Sequence, residues 1–439
     1  MERYKEYKDS GVQWLGEVPS HWTISSVRSL VQEYVEKNKP EKTRELLALS
    51  YSLGVTLYRD KQFNMDRVKE NYEEYKIVYE NVLVVSPNDI IKGSAYVSKY
   101  YGCISPMYIT FKSRFEDSTY LLYLSYLLRT KQAGRTFFSL AKGLIGSILD
   151  NGKYVTRRMS VSRNDILSFK IAMPPLSEQK KILGYLESKT SKIDEYIAEK
   201  EKEVQLLNEL KEAEITKVVT QGLNPNVKMK DYDSLISPSC PEHWSIVRNK
   251  SFLSLTGEKV GSRANEFLLL SLTTKGVIVR DMESGKGKFP KDFDTYQFVK
   301  KDELVFCLFD IDETPRTIGI VEIEGMLTGA YTALKVNSKL ALPEYIYNYY
   351  LCVDNIKALK PYYSGLRKTI RADKFLQIYM PLPPLDEQKA IVAYINDKTA
   401  KVESLITDLQ AEIEHLKEYK QRLIADCVTG QVNVQNETI

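Results

Sequence analysis

Part of this chain is written twice. Pro174-Pro175-Leu176-Ser177-Glu178-Gln179-Lys180 matches Pro383-Pro384-Leu385-Asp386-Glu387-Gln388-Lys389 at an offset of 209 residues. The same register carries Ile182, Tyr185, Lys189-Thr190 and Lys192 onto Ile391, Tyr394, Lys398-Thr399 and Lys401. A second match, at an offset of 222, pairs Lys8-Asp9 with Lys230-Asp231, Pro19 with Pro241, and His21-Trp22 with His243-Trp244. A repeat this long means two copies of one building unit, which restricts the architecture more than any single motif does. Each half reads as a globular module followed by a helix, and the 13-residue difference between the offsets falls inside the modules. The helices repeat closely while the modules share only fragments, which favours two readers of different targets on one frame over a purely symmetric scaffold.

Each Pro-Pro-Leu stops what precedes it, because proline cannot continue a ladder and biases its predecessor to extended geometry. Ser177 and Asp386 then read as N-caps, with Glu-Gln in the first helical turn. In the second helix Ile395, Val402, Leu409, Leu416 and Leu423 recur every seven residues, with Leu405 and Tyr419 three residues after two of them. That is an a/d seam. The first helix carries a weaker stripe, Leu186, Ile193, Lys200, Leu207 and Glu214, with Tyr196 and Leu210 at d and with Ile197 and Val204 beside the seam. Neither stripe suffices alone, so Ser177–Thr220 and Asp386–Val428 are expected to pair as an antiparallel coiled coil. A helix of this size spans roughly 65 Å against the ~34 Å of one B-DNA turn.

The expected map is a module over 1–176, a helical spacer over 177–222, a second module over 223–384, a second spacer over 385–430 and a C-terminal tail over 431–439. Gly222 followed by Pro225 ends the first helix. Within the modules, β-rich runs at Lys76–Val85, Tyr108–Lys112, Phe267–Leu272, Gly276–Arg280, Leu304–Phe309, Thr317–Ile323 and Ala333–Val336 alternate with helical stretches at Thr119–Lys131 and Pro343–Leu359. The fold class is α+β.

Charge follows this division. Residues 1–176 hold 26 basic and 19 acidic side chains (+7), 177–222 are −2, 223–385 are +3 and 386–439 are −4. Basic modules alternating with acidic helices suit a polyanionic partner. Cys103, Cys240, Cys307, Cys352 and Cys427 are scattered, and His21, His243 and His415 are the sole histidines, which argues against a zinc site or disulfide framework. The charged N-terminus and the lack of any ~18-residue apolar window lead us to expect a cytoplasmic protein without a membrane span. No phosphate loop, dinucleotide fingerprint or amino-methyltransferase motif is found.

Pro-Pro-Leu-x-Glu-Gln before a long charged helix, twice, with Pro-x-His-Trp ahead of each module, resembles Type I restriction-modification specificity subunits along essentially the whole chain. The resemblance implies two target-recognition domains, each reading one half of a split DNA sequence, on paired helices that set the spacing and dock two modification subunits. Those partners would carry S-adenosylmethionine and the methyl-transfer site, a restriction subunit could join, and this chain would hold no cofactor and no catalytic residue. The competing readings are a self-contained DNA methyltransferase or nuclease and a coiled-coil scaffold that binds no DNA.

Several segments are candidates for contact with double-stranded DNA. Lys92, Ser94, Tyr96 and Lys99 lie in a run of tyrosine, serine and lysine suited to phosphate contact, although tyrosine-rich strands are often plain sheet. Lys286 and Lys288 form a basic loop that could clamp phosphate or be a solvated hairpin. Arg157 and Arg158 precede the first helix as Arg367 and Lys368 precede the second, and such arginines read guanine or hold phosphate. The His-Trp pairs are better explained by core packing than by stacking on bases. The partner-facing coiled-coil positions are Leu186, Ile193, Leu207, Leu210, Ile395, Val402, Leu409, Leu416 and Leu423.

Overall fold

The computed structural model of the chain describes residues 2–50, 53–60, 71–143, 159–232, 234–280, 293, 295–365 and 368–437. They form two compact units, one comprising residues 1–200 with 411–439 and the other residues 201–410. The unit boundary therefore cuts both long helices near their middles, instead of following the module and spacer limits expected from sequence.

The first unit is built on an antiparallel four-stranded sheet in the order Val31–Glu33, Ile109–Ser113, Leu83–Val85, Ala95–Val97. The second unit has its twin: Leu253–Leu255, Thr332–Val336, Leu304–Phe306, Ile318–Ile320. The strand leading into each long helix pairs with the strand after each His-Trp. Thr23 faces Met173 in one unit, and Ser245 faces Leu382 in the other. Those positions differ by 222 and 209, so the register of the repeat survives where the sequences no longer match. Lys76–Val85, expected as one run, is two strands, Lys76–Val78 and Leu83–Val85, because Asn81 turns the chain in the left-handed region (φ 61°). The expected helices are real but shorter, Thr119–Leu128 and Pro343–Asn355.

The two long helices run Leu176–Gln221 and Leu385–Val428. Each starts one residue before the expected cap, and the correction has a visible cause. The backbone N–H groups of Glu178 and Gln179 both donate to the Pro175 carbonyl at 3.0 Å, so Pro175 opens the helix and Ser177 lies inside its first turn. Gln179 Nε2 turns back to the Pro174 carbonyl (2.8 Å), as Gln388 Nε2 does to that of Pro383 (2.8 Å). Both ends close on a left-handed glycine, Gly222 and Gly430 (each φ 74°). A Cβ at Gly222 would stand 2.7 Å from Glu387 Oε1, and one at Gly430 would stand 2.4 Å from Pro19 Cδ. Shape and dihedral together require glycine there.

Within each unit the helices pair antiparallel. In the first, Asp194 binds Lys420 (2.6 Å) and Tyr196 binds Glu412 (3.2 Å); in the second, Lys211 meets Glu403 (3.5 Å) and Tyr394 meets Glu214 (2.6 Å). The stripe Leu186, Ile193, Leu207, Ile395, Val402, Leu409, Leu416 and Leu423 is buried or half-buried. The second stripe lies four residues on from it, not three. Ile197 and Ile413 are buried, with Val204 and Ile406 half-buried beside them, while Tyr196, Leu210, Leu405 and Tyr419 are between 42% and 61% exposed. Leu210 is therefore not a seam residue.

The expected tail is part of the first core. Val434 is 2% exposed, Glu2 and Asn433 form an isolated bridge, and Tyr7 Oη donates to the Gly430 carbonyl (2.9 Å). Leu423, Cys427 and Val428, from the end of the second helix, pack with Trp22 and Tyr123 of the first module. Val218 and Val219, from the end of the first helix, pack with Trp244 and Tyr345 of the second. No helix among the described residues is long and apolar enough to cross a membrane.

Candidate nucleic-acid interface

The two motifs that repeat most faithfully meet in space. Glu178 is buried in the first helical turn and accepts from Trp22 Nε1 (3.1 Å) and Tyr4 Oη (2.5 Å), with His21 Nε2 at 2.8 Å. Glu387 accepts from Trp244 Nε1 (3.1 Å), with His243 Nε2 at 2.7 Å. Burial, reinforced by the Glu178 carboxylate, pushes the Tyr4 phenol far above its usual range. Trp22 and Trp244 are 0% and 1% exposed. These residues are clamps between module and helix; the two indole rings are closed to any base, and the half-exposed imidazoles of His21 and His243 are held on the Glu178 and Glu387 carboxylates. A second clamp repeats with them: Tyr123 Oη donates to the Val428 carbonyl (2.8 Å) and Tyr345 Oη to that of Val219 (3.0 Å).

Among the described residues a basic cleft of about 820 Å³ in the first unit is open to a ligand. Its charged lining is Lys92, Arg129, Lys131, Arg135, Lys417 and Lys420 against one carboxylate, Asp194. Lys92 ends a short 3-10 turn, and Tyr96 stands on strand Ala95–Val97. The Arg129 guanidinium lies 4.1 Å from the Tyr96 ring centre, a cation–π contact that fixes the head at the cleft wall. Lys131 and Arg135 are one turn apart on helix Lys131–Leu140, which Thr130 caps by accepting from Ala133 N (3.2 Å). Lys92 and Tyr96 were legible as candidates; the arginines and the helix lysines were not, because only the fold brings residues 92, 129–135 and 417–420 together.

The other candidates separate into three groups. Ser94 is 5% exposed and so unavailable to a phosphate, while Lys99 is exposed but does not line the cleft. Lys368 is tied to Asp312 (2.9 Å) and Glu313 (3.3 Å), and this hydrogen bonding holds its ammonium above the ordinary lysine range. It braces a hairpin and brings little free charge. Arg157, Arg158, Lys286, Lys288 and Arg367 lie outside the described residues.

The buried cysteines offer no reactive thiolate: burial pushes Cys103 and Cys352 up to about 11 and Cys427 up to about 12. Among the described residues no group of three His, Cys, Asp or Glu side chains is placed to hold a metal.

Comparison with known proteins agrees with the doubled architecture. The family described as Type I restriction modification DNA specificity domain matches residues 246–415. Two Methanocaldococcus jannaschii proteins, the putative type I restriction enzyme MjaX specificity subunit and the type I restriction enzyme MjaVIII specificity subunit, are each 22% identical. The first match covers 99% of both chains; the second covers 99% of this chain and 98% of the relative. Along essentially its whole length the chain is thus similar to Type I specificity subunits. A chain from a solved structure of a type I R-M system, described for its complex assembly and conformational transition, has this fold. It superposes with a TM-score of 0.63 at 13% identity, over 94% of this chain and 99% of that one. The matched family region begins on the strand after His243-Trp244 and ends inside the second long helix, so it takes in the second module and the larger part of the helix that follows it.

Proposed function

We propose that this chain recognises a bipartite sequence in double-stranded DNA and supplies no methyl-transfer or cleavage chemistry of its own. Each module takes one half-site, and the helix pair holds the two readers and docks modification subunits. Those subunits bring S-adenosylmethionine and its chemistry; restriction subunits join as translocase and nuclease. Base contacts select the sequence, and lysine and arginine contacts to phosphate supply the salt-sensitive share of affinity.

One observation carries this reading: a frame that repeats its helix starts, clamps and apolar stripe supports two modules that keep one topology and register but almost no common surface sequence. Selection for stability alone would not require unlike surfaces on like folds.

The test is incubation with labelled S-adenosylmethionine and a mixed duplex library. The chain alone is expected to transfer nothing; chain plus modification subunit is expected to label adenines in a two-part consensus. Transfer by the chain alone, or labelling without a consensus, contradicts the proposal.

A further inference from the structure

The frame repeats, but the basic cleft does not. Transferring its helix residues by 209 places Lys417, Lys420 and Gln421 on Asn208, Lys211 and Glu212, and places Asp194 on Glu403. Transferring its module residues by 222, the offset that relates Tyr123 to Tyr345, places Arg129 and Lys131 on Leu351 and Val353. Arg135 falls on Lys357, which is already bound to Asp354 (2.8 Å) and to the Thr314 carbonyl (2.8 Å). In the second unit, then, the equivalent positions hold two carboxylates and no cation without a partner of its own.

In the first unit the balance is reversed. Among the described residues Arg129, Lys131 and Arg135 form no ion pair with any carboxylate, and Lys131 and Arg135 are exposed. Behind them lie the apolar side chains of Ile91, Ile197 and Ile424. Like charges over an apolar wall repel one another and focus their field outward, which costs stability unless an anion is there to use it. The module sums agree, at +7 for the first and +3 for the second. A duplex is too wide to enter a cleft of about 820 Å³, but a phosphate-bearing strand edge can lie along its rim.

We infer that Arg129, Lys131 and Arg135, beside a Lys92 that is loosely paired with Asp89 (3.6 Å), form a phosphodiester-binding rim specific to the first unit, so that the two halves of this protein grip DNA unequally. The first supplies most of the salt-dependent, sequence-independent affinity, and the second depends more on contacts to bases. The inference rests on the DNA-recognition reading and adds where its electrostatic part is located.

Counterion release gives the measurement. Each phosphate contact contributes about 0.9 to the slope of log affinity against log salt on B-DNA. The full chain with its modification subunits is titrated by fluorescence anisotropy against a random 40-bp duplex and against a duplex of the consensus site, from about 50 to 200 mM salt. Combining Arg129→Ala, Lys131→Ala and Arg135→Ala is expected to lower the slope by about 2–3 on both duplexes, and Lys275→Ala, exposed in the second unit, is expected to leave it unchanged. Arg129→Lys with Arg135→Lys, which keeps the charges and guards against a folding defect, is expected to keep the wild-type slope. An unchanged slope in the triple variant overturns the inference, as does a loss of modification-subunit assembly with DNA affinity intact, which would mark the cleft as a seat for an acidic protein segment. If the wild-type assembly itself shows no preference for a consensus duplex, it is the DNA-recognition reading that fails.

Discussion

Replacing Glu178 by alanine should cost more than the same change at its repeat partner Glu387, and the structure says by how much. Glu178→Ala leaves the indole N–H of Trp22, 0% exposed, and the half-buried hydroxyl of Tyr4 without their acceptor. His21 is about half exposed and can turn to water. One fully and one partly buried donor orphaned at about 1–3 kcal/mol for full burial gives roughly 2–4 kcal/mol. Glu387→Ala orphans only the Trp244 indole, because the position equivalent to Tyr4 is Asn226, and so costs about 1–3 kcal/mol. For units of this size the first value corresponds to a fall in Tm on the order of 10 °C. The assay is calorimetry with urea unfolding, and the first unit should melt early in Glu178→Ala while the second holds. A double-mutant cycle makes it specific. Trp22→Phe removes the donor, so adding Glu178→Ala to it should cost at least about 1 kcal/mol less than in the native background. Strict additivity, or a Glu178→Ala loss within about 0.5 kcal/mol of zero, would refute the clamp.

Two further outcomes follow from the same geometry. Burial holds the phenols of Tyr4, Tyr34 and Tyr123 in the first unit, and of Tyr345, Tyr349 and Tyr350 in the second, well above their usual range. Their stabilisation is therefore complete below the unfolded value near pH 10 and is lost as pH rises above it, by about 1.4 kcal/mol per unit for each group; with three such phenols in each unit, urea unfolding between about pH 9 and 11 should show both units weakening together. Inserting seven residues, two helical turns, in the first long helix between Glu203 and Val204 should change the number of unread base pairs between half-sites and leave both half-site sequences as they were, as sequencing of methylated sites would reveal.

Much of the frame could be read directly from the chain, because periodicity and helix breakers act locally. Pro175 and Pro384 before each helix, Gly222 after the first, and the sevenfold leucine and isoleucine stripe all did what local chemistry dictates. The second stripe was misplaced because Tyr196, Leu210, Leu405 and Tyr419 are apolar in composition yet exposed; hydrophobicity identifies a residue that can be buried, not one that is. The contact between His-Trp and Glu-Gln spans 157 residues and has no local signature. Its signal was present, however, in that both motifs are among the few that both halves retain. The basic cleft was half visible in Lys92 and Tyr96. Arg129 and Arg135 carry no local signal of a site, and only the fold sets them beside the second long helix.

The central claim is that one chain carries two independent readers on one repeated frame. Sequencing of methylated adenines in cells expressing this chain with its modification subunit tests it most directly, when wild type is compared with a chimera whose second module, the stretch between the two long helices, comes from another specificity subunit. The account predicts a two-part motif with a fixed gap, of which one half changes in the chimera while the other stays the same. A single continuous motif, or a chimera in which both halves change together, would contradict it.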